Sequence, residues 1–475
     1  MRSAIDPLPI PRFSLPKKKS DFKLPFHKGL LSPIAIFSRA LFLLPKGVRY
    51  PPNASRTKQI IAAVIGNALE WYDFVVFGFL VAIISRLFFP AESEYASLLF
   101  TTATFGVGFF MRPVGAIVLG VFADKKGRKA AMQLIIGLMT LSMAMIAFAP
   151  PYAAIGIAAP IIIVCARLLQ GFATGGEFAS ATSFLVEMAP PNRRGLYGSL
   201  QMVGQSLAAL GGAVSGALVT RGLSPEQIDS WGWRLPFIFG LLIGPVGLWM
   251  RHNLSETAEF LNARASTGRK LSVGALLAGN LRGVFVTFGL VISGTITYYV
   301  VLVYMPTFAK TQLNIPLTDA FIAQVIGLIC LTATIPIFGW LSDYVGRKPI
   351  IVSALLCYLL FLYPLFSWVH VNPTLTNLSI MQAVLCSLIG VLFGPISTAL
   401  AEQFSPGVRS TGLAISYNFA VMLFGGFAQF FVTWLIRVTG SPIAPVYYVM
   451  AGAVVGLIAS LFLIDRHVYT VRARH

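Results

Sequence analysis

The sequence predicts an all-α membrane protein of about twelve transmembrane helices in two pseudo-symmetric six-helix bundles. Three observations predict it. The 475-residue chain is 56% hydrophobic and only 11% charged, whereas soluble domains carry charge on about a quarter of their residues. Apolar runs long enough to cross a hydrocarbon core of roughly 30 Å recur from end to end. Two loop signatures each occur twice, at matching places in the two halves.

Apolar runs lie at 60–84, 96–121, 130–149, 155–185, 196–220 and 235–250 in the first half, and at 284–308, 321–341, 350–368, 378–400, 412–436 and 446–464 in the second. Their continuity excludes barrel strands, which alternate apolar and polar residues. Residues 1–58 are rich in proline and basic residues, including Lys17, Lys18 and Lys19, and the apolar patch at 29–44 is broken by Pro33 and Arg39. This segment reads as a disordered cytoplasmic tail touching anionic lipid, or as an over-extended start; it has no signal-peptide arrangement. The expected organisation is a tail at 1–58, an N-terminal bundle at 59–250, a polar linker at 251–280, a C-terminal bundle at 281–465 and a short tail at 466–475.

The net charge of +19 does not point to nucleic acid, because the basic residues flank spans instead of gathering beside stacking aromatics. Lys125, Lys126, Arg128 and Lys129 follow the second run, Arg193 and Arg194 the fourth, Arg251, Arg264, Arg269 and Lys270 the sixth, and Arg347 and Lys348 the eighth. The positive-inside rule makes these loops and both termini cytoplasmic, in a multi-pass protein of the bacterial inner membrane. Cys165, Cys330, Cys357 and Cys386 fall inside apolar runs without metal-ligand spacing, so neither disulfide nor zinc is expected.

The first repeat is Gly120-Val-Phe-Ala-Asp124-Lys-Lys-Gly127-Arg128-Lys129, echoed by Gly339-Trp-Leu-Ser-Asp343-Tyr-Val-Gly346-Arg347-Lys348. Its chemistry suits a cytoplasmic gate: glycines permit a tight turn and close helix approach, Asp124 or Asp343 can accept hydrogen bonds from a neighbouring helix N-terminus, and the basic residues hold the loop at the anionic leaflet. The second repeat links Glu187 to Gly195 with Glu402 to Gly412, each with an arginine near its end. Together they imply a duplicated six-helix unit.

Ionisable side chains deep in a span cost about 2.5–3.5 kcal/mol and call for a partner or a wet cavity. Glu70 and Asp73 lie three residues apart, hence on one helix face, in the first run; Arg112 lies in the second, and Arg167 and Glu177 in the fourth. A carboxylate in a low-dielectric cavity can take and release a proton. Asp73 or Glu70 is therefore expected to carry a coupled proton, with Arg112 or Arg167 pairing alternately with that carboxylate and with an anionic substrate; the same residues also fit fixed structural ion pairs. Gln201, Gln205, Thr295, Tyr298, Tyr299, Tyr417 and Asn418 are expected to line the cavity. Tyr304, beside Pro306, fits either the cavity or an interfacial anchor. All five histidines fall in tails or loops, and no Walker A loop or His-Glu-x-x-His constellation occurs. The reading is not an enzyme, with no cofactor, the proton as coupling ion, and a small-molecule substrate and the lipid bilayer as partners.

The duplicated loops resemble the signature of the major facilitator superfamily, over essentially the whole chain beyond the tail. The segments Gly66-Asn-Ala-Leu-Glu70-Trp-Tyr-Asp73-Phe74, Phe109-Phe-Met-Arg112-Pro-Val-Gly115, Arg167-Leu-Leu-Gln170-Gly171 with Gly175-Gly-Glu177, and Trp231-Gly-Trp-Arg-Leu-Pro-Phe237 further resemble the metabolite:proton symporter family. The resemblance implies carriage of citrate, oxoglutarate, shikimate, or proline and betaine, with proton symport and function as a monomer. The second half, through Tyr304-Met-Pro-Thr-Phe308 and Phe424-Gly-Gly-Phe-Ala-Gln429, is most similar to citrate carriers, with osmolyte carriers the alternative.

Overall fold

The computed structural model describes residues 56–126, 128–175, 177–190, 192–241, 279–405 and 408–465, all belonging to one unit, Tyr50–His475. The tails expected at 1–58 and 466–475 and the linker expected at 251–280 lie almost wholly outside the described residues.

Among the described residues every regular element is a helix. The first half contains α1 (Arg56–Phe79), α2 (Val81–Phe88), α3 (Glu94–Phe110), α4 (Arg112–Lys126), α5 (Arg128–Ala147), α6 (Ala158–Thr174), α7 (Glu177–Met188) and α8 (Arg194–Gly222). The second contains α9 (Leu281–Thr297), α10 (Met305–Gln312), α11 (Leu317–Val345), α12 (Arg347–Val371), α13 (Leu375–Glu402), α14 (Arg409–Ala420), α15 (Ala428–Thr439) and α16 (Ala444–Leu461). Among the described residues nine spans are long and apolar enough to cross a membrane, or ten when the bent pair α1–α2 counts as one. Of the remaining expected spans, the third carries a shorter apolar helix, Gln133–Ala147, and the sixth is helical over 235–241 before it leaves the described residues.

Several spans that read as continuous apolar runs are broken. The first bends by 62° between α1 and α2, the second breaks at Met111, ahead of Pro113, and the fourth breaks at Gly175. The seventh and eleventh spans widen into π-turns at Tyr298–Val303 and Val421–Gly426. Such turns leave backbone groups without their usual partners and cluster at functional sites.

The halves meet along α8 and α11, each 29 residues long. Three levels of hydrogen bonding mark an antiparallel pair with equal steps on both helices: Asp343 with Gly195 and Leu196, Ser206 Oγ with Thr332 Oγ1 at 2.6 Å, and Thr318 Oγ1 donating to Thr220 O at 3.1 Å. Within the first half, α3 and α6 approach so closely that a Cβ on Gly171 would strike the backbone carbonyl of Gly108. Gly137 on α5, by contrast, has open space where a Cβ would stand.

Overpacking a tight contact costs about 1–3 kcal/mol, whereas glycine to alanine in an unobstructed helix gains about 0.5–1 kcal/mol. Gly171→Ala is therefore expected to lower the melting temperature of the detergent-purified protein, and Gly137→Ala to leave it unchanged or raise it. Equal melting behaviour of the two variants would refute the close approach of α3 and α6.

Candidate transport site

A cavity of two neighbouring lobes lies between the halves. The first is lined by Glu70, Trp71 and Phe74 of α1, Arg112 of α4, Thr174 of α6, Phe178 of α7, and Tyr417 and Asn418 of α14. The second takes in Gln205 of α8, Thr295 of α9, Tyr298 and Tyr299 of the π-turn, and Phe393 of α13, and shares Trp71, Phe178 and Tyr417 with the first. The walls come from both halves: the Phe178 and Tyr417 rings stack at 3.8 Å and 6°, and Tyr299 packs edge-on against Phe109 at 5.2 Å.

Arg112 is 2% exposed, with its guanidinium carbon 4.4 Å from the centroids of both Phe74 and Phe109 and 5.3 Å from Trp71. Aromatic faces stabilise a desolvated cation. Its Nε makes no hydrogen bond among the described residues. Arg167 is sealed away from the cavity. It is wholly buried over Phe74, Phe77 and Phe105, at 4.3, 4.8 and 4.8 Å, and it donates to Gln170 Oε1, Phe74 O and Phe105 O.

Glu70 and Asp73 part company. Glu70 faces the first lobe with Arg112. Asp73 is buried outside both lobes, where a Cβ on Gly240 would lie 2.6 Å from its Oδ1. Positions three apart on a helix differ by about 60° in direction, enough to aim one carboxylate at the cavity and the other at the sixth span. Gln201 is fully buried but borders neither lobe. Tyr304 is 1% exposed and bonds Thr433 Oγ1 at 2.8 Å, so it is no interfacial anchor. The side chain of Glu177 lies outside the described residues, as do the side chains of Asp124 and Arg128 and the whole of Gly127; Gly120 sits within α4.

The second copy of the repeated loop, expected to serve as a gate, is fully described. Asp343 accepts from the backbone N–H of Gly195 at 2.7 Å and of Leu196 at 3.0 Å, and so caps the N-terminus of α8 across the halves. Arg347 holds that carboxylate at 2.9 Å and reaches Glu402 at 3.6 Å. Gly339 lies against Ser199, where a Cβ would collide, and Gly346 turns the chain at φ +99°, a conformation that favours glycine. Nearby, Thr398 Oγ1 donates to Arg194 O at 2.8 Å, and Arg409 meets Glu187 at 3.4 Å. Glu187, Glu402 and Arg409 all stand in the second sequence repeat, which was the signal for them. Nothing in the sequence singled out Phe178 or Thr174 as cavity walls.

A helical membrane protein with a duplicated loop signature, whose halves enclose an aromatic-walled cavity holding polar side chains, has the architecture of a secondary transporter. The sequence pattern of the Major Facilitator Superfamily matches residues 63–415, and the chain belongs to that superfamily. It is 35% identical to a citrate-proton symporter of Klebsiella pneumoniae over 90% of this chain and 96% of that protein, and to one of Salmonella typhi over 86% and 94%. It is 32% identical to a glycine betaine/proline/ectoine/pipecolic acid transporter of Dickeya dadantii over 86% and 83%. The fold resembles a crystallised D-xylose-proton symporter with a TM-score of 0.67, at 19% identity over 86% of this chain and 96% of that one.

Removing one member of a buried charge pair costs about 3–5 kcal/mol. Asp343→Ala is expected to speed amide exchange at Gly195 and Leu196 by about 100-fold or more, read by hydrogen exchange with mass spectrometry. Unchanged exchange there would remove Asp343 as the cap of α8.

Proposed function

We propose that this protein is a proton-coupled symporter that takes up a small organic acid, best citrate or a related di- or tricarboxylate. The observation that carries the reading is the cavity holding Arg112 beside Glu70 between the two halves, in a chain whose relatives include citrate-proton symporters. Arg112 is the cation placed to meet a substrate carboxylate, since it borders the cavity while the terminal nitrogens of Arg167 are turned to Gln170 and to backbone carbonyls. Asp73 or Glu70 carries the proton. Glu177 contributes from the start of α7, and Gln205, Tyr298, Tyr299, Tyr417 and Asn418 shape the binding space. The halves, 59–250 and 281–465, rock about this site, with both termini on the cytoplasmic face of a bacterial inner membrane. The monomer is the working unit, and no cofactor takes part.

A second reading, a proline- or betaine-type osmolyte symporter, is favoured by one specific feature. The second lobe is walled by Trp71, Phe178, Tyr298, Tyr299 and Tyr417, and Arg112 is the one cation among the described lining residues. A zwitterion with its carboxylate on Arg112 and its cationic end on these rings fits that arrangement.

Uptake of labelled citrate, oxoglutarate and proline into proteoliposomes, with and without an inward proton gradient, tests both readings. Gradient-stimulated accumulation of a carboxylate is the expected outcome; accumulation of proline alone would establish the osmolyte reading, and gradient-independent equilibration would refute coupling. Asp73→Asn is expected to keep substrate exchange while losing gradient-driven accumulation, and undiminished accumulation would remove Asp73 from the coupling role. Asp124→Asn is expected to slow turnover about tenfold at unchanged substrate affinity, as loss of a charge-assisted gate contact predicts; wild-type turnover would remove that loop from the gate.

A further inference from the structure

The seventh span reaches the cavity through its π-turn, Tyr298–Val303, in which Tyr304 N bonds Tyr299 O, five residues back, at 2.9 Å. Continued in the same register, the carbonyl of Val301 would be served by the residue at 306. That residue is proline, which has no N–H. A carbonyl inside a membrane span needs a donor from within the protein. Gln382 of α13, wholly buried, supplies one: its Nε2 donates to Val301 O at 3.2 Å and to Gln324 Oε1 of α11 at 3.0 Å. Both hydrogens of the amide are thereby used. Its Oε1 accepts from Cys386 Sγ at 3.4 Å. The orientation follows from the chemistry, because Val301 O can only accept.

We propose that Gln382 is a positioning residue for substrate binding: it supplies the hydrogen bond that Pro306 withholds from Val301, and so holds the π-turn that sets Tyr298 and Tyr299 side by side in the cavity wall. The two rings, from adjacent residues, stand 5.2 Å apart at 78° and border the same lobe. Gln382 borders neither lobe; it acts on the ligand through the turn. Its effect on binding rests on the cavity being the substrate site, whereas its effect on the turn does not.

A double-mutant cycle separates this role from simple packing. Gln382→Leu keeps apolar bulk but cannot donate, and Pro306→Ala restores an N–H five residues after Val301. Gln382→Leu alone is expected to raise the KM for the transported substrate about tenfold, with maximal rate changed far less. In the Pro306→Ala background the same substitution is expected to raise KM less than about threefold. Equal KM effects in the two backgrounds would overturn the proposal. The same cycle read as melting temperature in detergent needs no substrate: Gln382→Leu is expected to lower it in the wild-type background and much less beside Pro306→Ala. If the wild-type protein accumulates none of citrate, oxoglutarate or proline while the melting cycle shows this coupling, the symport reading fails and the role of Gln382 in the turn stands. If transport is present and neither cycle shows coupling, the role of Gln382 fails and the symport reading stands.

Discussion

Hydrocarbon offers no hydrogen bonds, so every backbone group in a span must find its partner inside the protein. This constraint organises the site. Where spans break, side chains of neighbouring helices donate to the carbonyls concerned: Asn418 Nδ2 to Gly175 O at 2.5 Å between α6 and α7, Gln382 to Val301 O in one π-turn, and Tyr448 OH to Phe424 O at 3.1 Å in the other. Gln170 does the same for Asp73 O at 2.8 Å within α1. At Gly175 and in the two π-turns the irregular backbone is thus tied to a neighbouring helix. For Gly175 the donor belongs to the other half, so closing the halves and satisfying that carbonyl are one event.

The two arginines show how a buried cation is held without a full shell of water. Arg167 replaces hydration with two carbonyls, one amide oxygen and three ring faces. Bonds from its two terminal nitrogens serve as scaffolding, joining α1, α3 and α6. Arg112 has ring faces as well, but it borders open space with Glu70. Residues of the same type, both deep in the first half, are therefore placed differently, and the distinction lies in which of them borders the cavity.

The architecture was legible because span length is written directly in apolar runs, and duplication in the repeated loops. The capping role of Asp343 was legible from chemistry alone, since a carboxylate three residues ahead of a glycine turn has few better partners than a helix N-terminus. The breaks were not. A π-turn in an apolar run leaves hydropathy unchanged, and the signs were single residues, such as Pro306 beyond one turn and Pro113 beyond another break. Nor could spacing separate Glu70 from Asp73, because helix rotation is decided by packing against residues far away in sequence, here Gly240 and Met143. For the same reason Gln201, a polar residue in an apolar run, looked like a cavity residue and is buried elsewhere.

The α8–α11 contact is held unequally at its two ends. At one, Asp343 makes two charge-assisted bonds to helix N-terminal amides, backed by Arg347 and Glu402. At the other, the described hydrogen bond is neutral, from Thr318 to Thr220, beside the edge-on rings of Phe79 and Phe321 at 6.3 Å. Parting the Asp343 end exposes a carboxylate, an arginine and two amides that water can solvate, so the large gross attraction there is offset by hydration regained. Parting the Thr318 end gives back little hydration and loses mainly ring contact. The Ser206–Thr332 bond lies between them on the same pair of helices. Halves that rocked, as proposed above, would open these two unlike closures one at a time, with the Ser206–Thr332 bond between them.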